Sequence, residues 1–208
     1  MGDRPQTMPQ GTTERLLAAA EFIVLDSGAH AVSIRAIAAH SGLNSALVSY
    51  HFGGMEGMLR RLLEVNVDAI CDSRDALTAA ALAGQRSRTE RLRALTAAYV
   101  DPLWRTTACW HAAAARDIVR GVMPMLPATA LKGAVERINT SVADSAAAMA
   151  ALLPDLPRAR LLARLRLIAG LADMMRPRLQ EMGLYPLPGS VPLEDELVTL
   201  AVGALKAK

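Results

Sequence analysis

Along most of this chain apolar residues return every three or four positions. Leu16, Ala20 and Ile23 do so, then Leu131, Val135, Ile138, Val142, Met149 and Leu152. Leu161, Leu165, Ile168, Ala172 and Met175 follow, and last Leu193, Leu197, Leu200 and Ala204. Only a helix of about 3.6 residues per turn puts such positions on one face. Composition agrees. Ala and Leu supply 39 and 30 of 208 residues, and both are strong helix formers. Val and Ile together supply 20 and aromatics 7, too few for an all-β fold. The reading is an all-α chain with a core of useful size. No apolar run reaches the roughly 18 residues of a membrane span. The polar stretch Met1–Gly11 is expected to be a flexible arm and not a secretory signal. A cytoplasmic protein is expected.

Glycine and proline divide the pattern. Gly28 closes a first helix, 12–27. Ser33 caps a short helix, about 34–40, and Ser41-Gly42-Leu43 makes a tight turn. Asn44 caps a second short helix, about 45–51, which Phe52-Gly53-Gly54 breaks. A long helix is expected over 55–81, then helices over 88–104, 107–120, 128–153, 158–176 and 193–206. Pro177 is expected to end or kink the penultimate one. That makes about nine helices. They divide into the arm (1–11), a three-helix head (12–54) and a larger helical body (55–208).

Two short helices joined by a three-residue turn form a helix-turn-helix. Ala38 stands where the two helices come closest. Gly42 falls where the turn favours a positive φ. Ile37, Leu43 and Val48 point back at the first helix. Small-then-Gly spacing alone arises by chance in an Ala-rich chain.

The stretches Ser33–Ala38, Ser41–Gly53 and Glu56–Leu59 together resemble the DNA-binding head of TetR-family transcriptional regulators. The most specific part is Tyr50-His51-Phe52-Gly53, followed by Glu56 and an apolar pair. The resemblance implies that the second short helix enters the major groove. Ser45 and Ala46 would face base edges, with Ser49 and Tyr50 one turn further on. Tyr50 and His51 would contact phosphate or brace the helix. Ser33 and Arg35 would reach the backbone or a flanking base, and Asn44 would cap its helix beside a phosphate. Three departures stand out. Met55 replaces a frequent Lys, Ser49 a frequent Tyr or Arg, and Gly54 a frequent cap. Each phosphate left without a protein partner lowers the salt slope by about 1. Residues 1–65 carry a net charge of −1, so the basic excess lies elsewhere. DNA binding would be weak or would lean on Arg4, Arg15 and Arg35.

For the body the resemblance implies a small-molecule site and a homodimer. In the family, effector binding swings the linking helix, so that the two heads no longer match grooves about 34–36 Å apart. Ligand candidates are Tyr99, Leu103, Trp104, Trp110, His111, Met123, Met125 and Met174, with Arg116 and Asp117 as further polar groups. They suit an apolar or amphipathic effector, and the body's arginines leave an anion open. The dimer is expected on the last two long helices, through Leu161, Leu165, Ile168, Ala172, Met175, Leu197 and Leu200. The 158–176 helix is also apolar on a second face, at Leu167, Leu171 and Met174, so it needs two partners. Two-fold symmetry would match a palindromic operator.

Enzyme signatures are missing: no H-E-x-x-H, P-loop, G-x-G-x-x-G after a strand or G-x-S-x-G occurs. Cys71 and Cys109 fit neither a disulfide framework nor a four-ligand zinc site. No metal, cofactor or catalytic residue is expected. The partners expected are operator DNA, a small effector and a second copy of the chain. A ligand-binding protein whose head no longer reads DNA is the alternative.

Overall fold

The structure, a computed structural model, describes residues 11–84, 86–106, 115–181 and 193–207, with the backbone alone at 174–181 and 193. Helices are α1 (Thr12–Ser27), α2 (Ile34–Ser41), α3 (Ala46–Phe52), α4 (Met55–Ala83) and α5 (Arg88–Val100). After them come α6 (Pro102–Arg105), α7 (Ala115–Val122), α8 (Ala128–Ala150), α9 (Arg158–Glu181) and α10 (Leu193–Lys206). Short 3-10 turns occupy Ala29–Ala31 and Met123–Met125. Nine of these helices have seven residues or more, and the described residues contain no strand.

Two expected boundaries move. The 88–104 helix stops at Val100 and restarts at Pro102, because proline has no N–H to continue the ladder. Asp101 stays helical between them, its N–H on the Ala97 carbonyl and its own carbonyl accepting from Arg105. The last long helix but one runs through Pro177 to Glu181 and does not end there. A proline deletes one backbone bond, and the turns on either side carry the helix past it. Of the expected 107–120 helix, residues 115–122 are described as α7.

The chain forms two compact units. One holds the residues up to Ile70 together with Thr106–Arg137, and the other holds Cys71–Arg105 and the residues from Ile138. The division therefore falls inside α4 and α8, not at Gly54. In the first unit α1 packs on α2 and on α7. Leu16, Ala20, Ile37, Val48, Met58, Leu62 and Ile118 are among its fully buried side chains. Each large apolar side chain so buried contributes about 1.5–3 kcal/mol. Gly121 lets α7 settle on the head, since a Cβ there would stand 3.3 Å from Val24 Cγ1 and 3.4 Å from the Ala29 Cβ.

In the second unit α5 lies against α10 and α9. Leu95, Tyr99, Trp104, Met149, Leu161, Leu165, Ala172, Leu197 and Leu205 are part of one apolar cluster. Buried polar groups are tied to backbone. Tyr99 Oη donates to the Leu165 carbonyl at 3.0 Å, and Trp104 Nε1 to the Ala172 carbonyl at 2.8 Å. Arg164 Nη1 caps the end of α10 through the carbonyls of Leu205 and Ala207.

Candidate DNA-binding face and ligand site

The helix-turn-helix is built as its residues dictate. Ser33 is extended, and its Oγ accepts from the Ala36 N–H at 3.1 Å, which caps α2. Gly42, at φ 67°, ends α2 in the left-handed region. Arg15 Nη2 donates to the Ser41 carbonyl at 2.7 Å and fastens the turn to α1. That arginine serves the head's own frame, so it is a poor candidate for a phosphate. Asn44 Oδ1 accepts from the Ala46 N–H at 2.9 Å and its carbonyl from the Leu47 N–H. Asn44 thus does the capping and Ser45, already helical, makes no cap bond. The hydroxyl of Ser45 is left for an outside partner.

Val48 anchors α3 and is fully buried, as is Ile37 on α2. Around them Ser33, Arg35, Asn44, Ser45, Ala46, Ser49, Tyr50 and His51 are all exposed. Tyr50 stands out with 81% of its surface free. Its ring meets His51 edge-on, at 5.0 Å between centroids. An aromatic so exposed on a helix held by an adjacent buried valine is presented outward by the fold. His40 stacks on Phe22 at 4.2 Å and so faces the head's own α1.

One head residue went unread in the sequence. Gly57, in the first turn of α4, lies against the Phe52 carbonyl, and a Cβ there would strike that backbone oxygen. This close approach sets where α3 ends and α4 begins, with Gly53 and Gly54 both at positive φ between them. The only cue was its place within Glu56-Gly57-Met58-Leu59.

A sequence profile described as bacterial regulatory proteins, tetR family, matches residues 16–62, from α1 into α4. Residues 16–62 are thus similar to the head of the TetR family. The fold extends the likeness over the whole chain. It is similar to a protein of unknown function from Rhodococcus sp. RHA1, with TM-score 0.66, 21% identity, and 98% of this chain and 97% of that one covered. A TetR-family transcriptional regulator from Bordetella parapertussis 12822 gives 0.64 at 18% identity, with 95% of each chain covered. The ketosteroid transcriptional regulator KstR2 of Mycobacterium tuberculosis gives 0.55 at 17%, covering 98% and 97%. No curated protein matches the sequence. A TetR-like head is thus joined to a helical body whose fold is similar to those of these solved structures.

The expected ligand residues scatter. Tyr99 and Trp104 are buried in the apolar cluster of the second unit with Leu103 packed against it. Their polar ends are spent on backbone carbonyls, so they read as packing. Met123, half-buried, and Met125, exposed, sit on the 3-10 turn of the first unit. Trp110, His111 and the side chain of Met174 lie outside the described residues. Arg116 and Asp117 pair with each other at 3.1 Å, and Arg120 shares the carboxylate at 3.5 Å. What the sequence did not single out is Arg74, a buried guanidinium on α4, and Asn66, whose buried Oδ1 finds no partner among the described residues. A cleft of about 610 Å³ opens beside Arg88, Leu92, Leu153, Asp155, Arg160 and Lys206, and holds none of the expected ligand residues.

The expected dimer face is largely turned inward. Leu161, Leu165, Ile168, Ala172 and Leu197 are buried within the protomer's own core. A side chain without free surface cannot meet a second copy. The outward residues are Leu167 (74% exposed), Leu171 (43%) and Leu200 (64%). Of the residues expected there, Leu200 alone is exposed, and the side chain of Met175 is not described. Both stripes of α9 are apolar, and the protomer claims one of them.

The described residues hold no group of three His, Cys, Asp or Glu side chains able to bind a metal. No described helix is long and apolar enough to cross a membrane. Cys71 is buried and in no disulfide, and Cys109 lies outside the described residues.

Proposed function

We propose that this protein is a dimeric, cytoplasmic repressor that leaves a palindromic operator when a small apolar or amphipathic molecule binds its helical body. The observation that carries the DNA half is the face of α3. All eight nominated side chains, from the start of α2, the turn and α3, are exposed, while Ile37 and Val48 are buried in the head. Dipoles at the starts of α2 and α3 favour phosphate. Arg35 is exposed and joins no described hydrogen bond or ion pair, which suits a backbone contact. Arg60 and Arg61 share Glu64, at 3.9 and 3.6 Å, and add little.

Support for the dimer comes from Leu167, Leu171 and Leu200, large apolar side chains with no covering in one protomer. The effector half draws on the family resemblance and on the direct packing of α7 on α1, which gives a moving body helix a hold on the head.

The test is a gel-shift titration with DNA from upstream of the protein's own gene and with operators selected from random duplexes, at two salt concentrations. A sequence-specific shift that weakens steeply with salt is expected. Only non-specific retardation in both DNA sets would overturn the reading, and would favour a ligand-binding protein with a silent head.

A further inference from the structure

We infer that Arg74 is an effector-binding residue and that the effector is an organic carboxylate with an apolar body. The inference rests on reading the helical body as effector-binding.

Arg74 is 3% exposed, in the second unit. A buried guanidinium is costly unless a carboxylate neutralises it. No carboxylate oxygen lies within ion-pair distance among the described residues. Its partners carry partial charges only. Nε donates to the Tyr99 carbonyl at 3.3 Å, and Nη1 to Ser141 Oγ at 3.2 Å. The guanidinium also lies over the Tyr99 ring, 4.7 Å from its centroid. Ser141 Oγ donates in turn to Asp75 Oδ1 at 3.2 Å, which places that acid one hydroxyl removed from the guanidinium.

A guanidinium has five N–H donors. Two are used among the described residues, which leaves three, two of them on Nη2. Nη2 is also not one of the polar atoms sealed away without a partner. Two other buried polar side chains of this unit are closed: Thr96 Oγ1 bonds the Leu92 carbonyl, and Ser145 Oγ that of Ser141, while Arg91, on a more exposed side chain, keeps a buried Nε without a described partner. Arg74 therefore combines full charge, unused donors and an apolar surround that includes the Tyr99 ring. A carboxylate matches a guanidinium edge with two parallel bonds and supplies the missing charge. A hydrocarbon body suits the rest, because the cluster to which Tyr99 belongs is apolar.

The probes are straight-chain carboxylates from hexanoate to hexadecanoate, each paired with the primary alcohol of equal length. They are titrated into the full-length protein without DNA, by calorimetry and thermal shift. At some chain length the carboxylate should bind at least tenfold tighter than its alcohol. Arg74→Gln and Arg74→Met should erase that preference. Arg74→Lys should keep part of it, which covers the case where the neutral variants fail to fold. Ser141→Ala removes a neighbour but not the cation, and should keep the preference in full. The proposal falls if no carboxylate binds, if alcohols bind as tightly, or if a folded Arg74→Gln retains the preference. It also falls if Ser141→Ala erases the preference, or if Arg74→Lys does so while folded. Carboxylate binding at Arg74 with no specific DNA binding would sink the repressor and leave this site standing. Operator release by neutral amphiphiles alone would do the reverse.

Discussion

Tyr50 offers its ring to the surroundings from a helix held by Val48, so its removal should cost recognition and little stability. Tyr50→Ala is expected to weaken operator binding on the order of tenfold, about 1.4 kcal/mol, with an unchanged melting curve; fluorescence anisotropy and calorimetry would read the two. Arg35→Ala should flatten the slope of log affinity against log salt by about 1, and an unaltered slope would take Arg35 off the phosphate backbone. Gly57→Ala belongs to another class. The added methyl meets the Phe52 carbonyl, and overpacking of this kind costs about 1–3 kcal/mol. Its melting point and its DNA affinity should fall together. The caps at Ser33 and Asn44 were legible because hydroxyl and amide side chains at those spacings satisfy orphan N–H groups. Gly57 was not legible, since what it avoids is the backbone of the preceding helix, and no pattern of side chains reports that.

At the level of elements, the joint between α5 and α6 carries a charge in a poor place. Burial is the largest influence on the Asp101 carboxyl and raises its pKa. Arg105 opposes this, and Asp195 and Glu194 on α10 add to it. A carboxyl whose folded pKa is raised weighs against the fold once ionised, so its cost is full above that raised value, shrinks as pH falls from there and is gone below the ordinary carboxylate pKa. Asp101→Asn should therefore melt higher than the parent at neutral pH, and the gap should close in acid; a gap that widens in acid would refute this. Trp104→Phe keeps most of the ring but deletes the indole bond to the Ala172 carbonyl between α6 and α9, at a cost of about 0.5–1.5 kcal/mol in a denaturant titration. Helix α9 shows where sequence reading stops. Its period of 3.6 is plain, and two apolar stripes are visible in the letters. Nothing in Leu165 or Leu167 says which stripe the protomer's own core will take. That choice depends on α5 and α10, which reach α9 from distant parts of the sequence. Pro177 is a similar case, because a single missing N–H is a local cost that a 24-residue helix can bear.

For the whole molecule, the proposed dimer assigns the inward stripe of α9 to folding and the outward one to assembly. Leu167→Glu combined with Leu200→Glu should yield a folded monomer in sedimentation, with operator affinity abolished because one head meets one half-site. Leu165→Glu should instead fail to fold, and a well-folded Leu165→Glu monomer would show that the inward stripe had been misassigned. The head was readable from 33–59 because a helix-turn-helix is a short-range object. The body was readable only as helices, since which of them close on one another is settled by packing over long distances. The contact of Gly121 with Val24 and Ala29 bears on how a head of this kind could be exchanged. A transplant that exchanged residues 12–54 for another head would look like a clean cut at Gly53-Gly54. It would in fact sever a pairing, leaving a foreign first helix to meet this chain's Gly121. A working chimera would have to carry α7 along with the head, or match the bulk of α1 to a neighbour that has no side chain to yield.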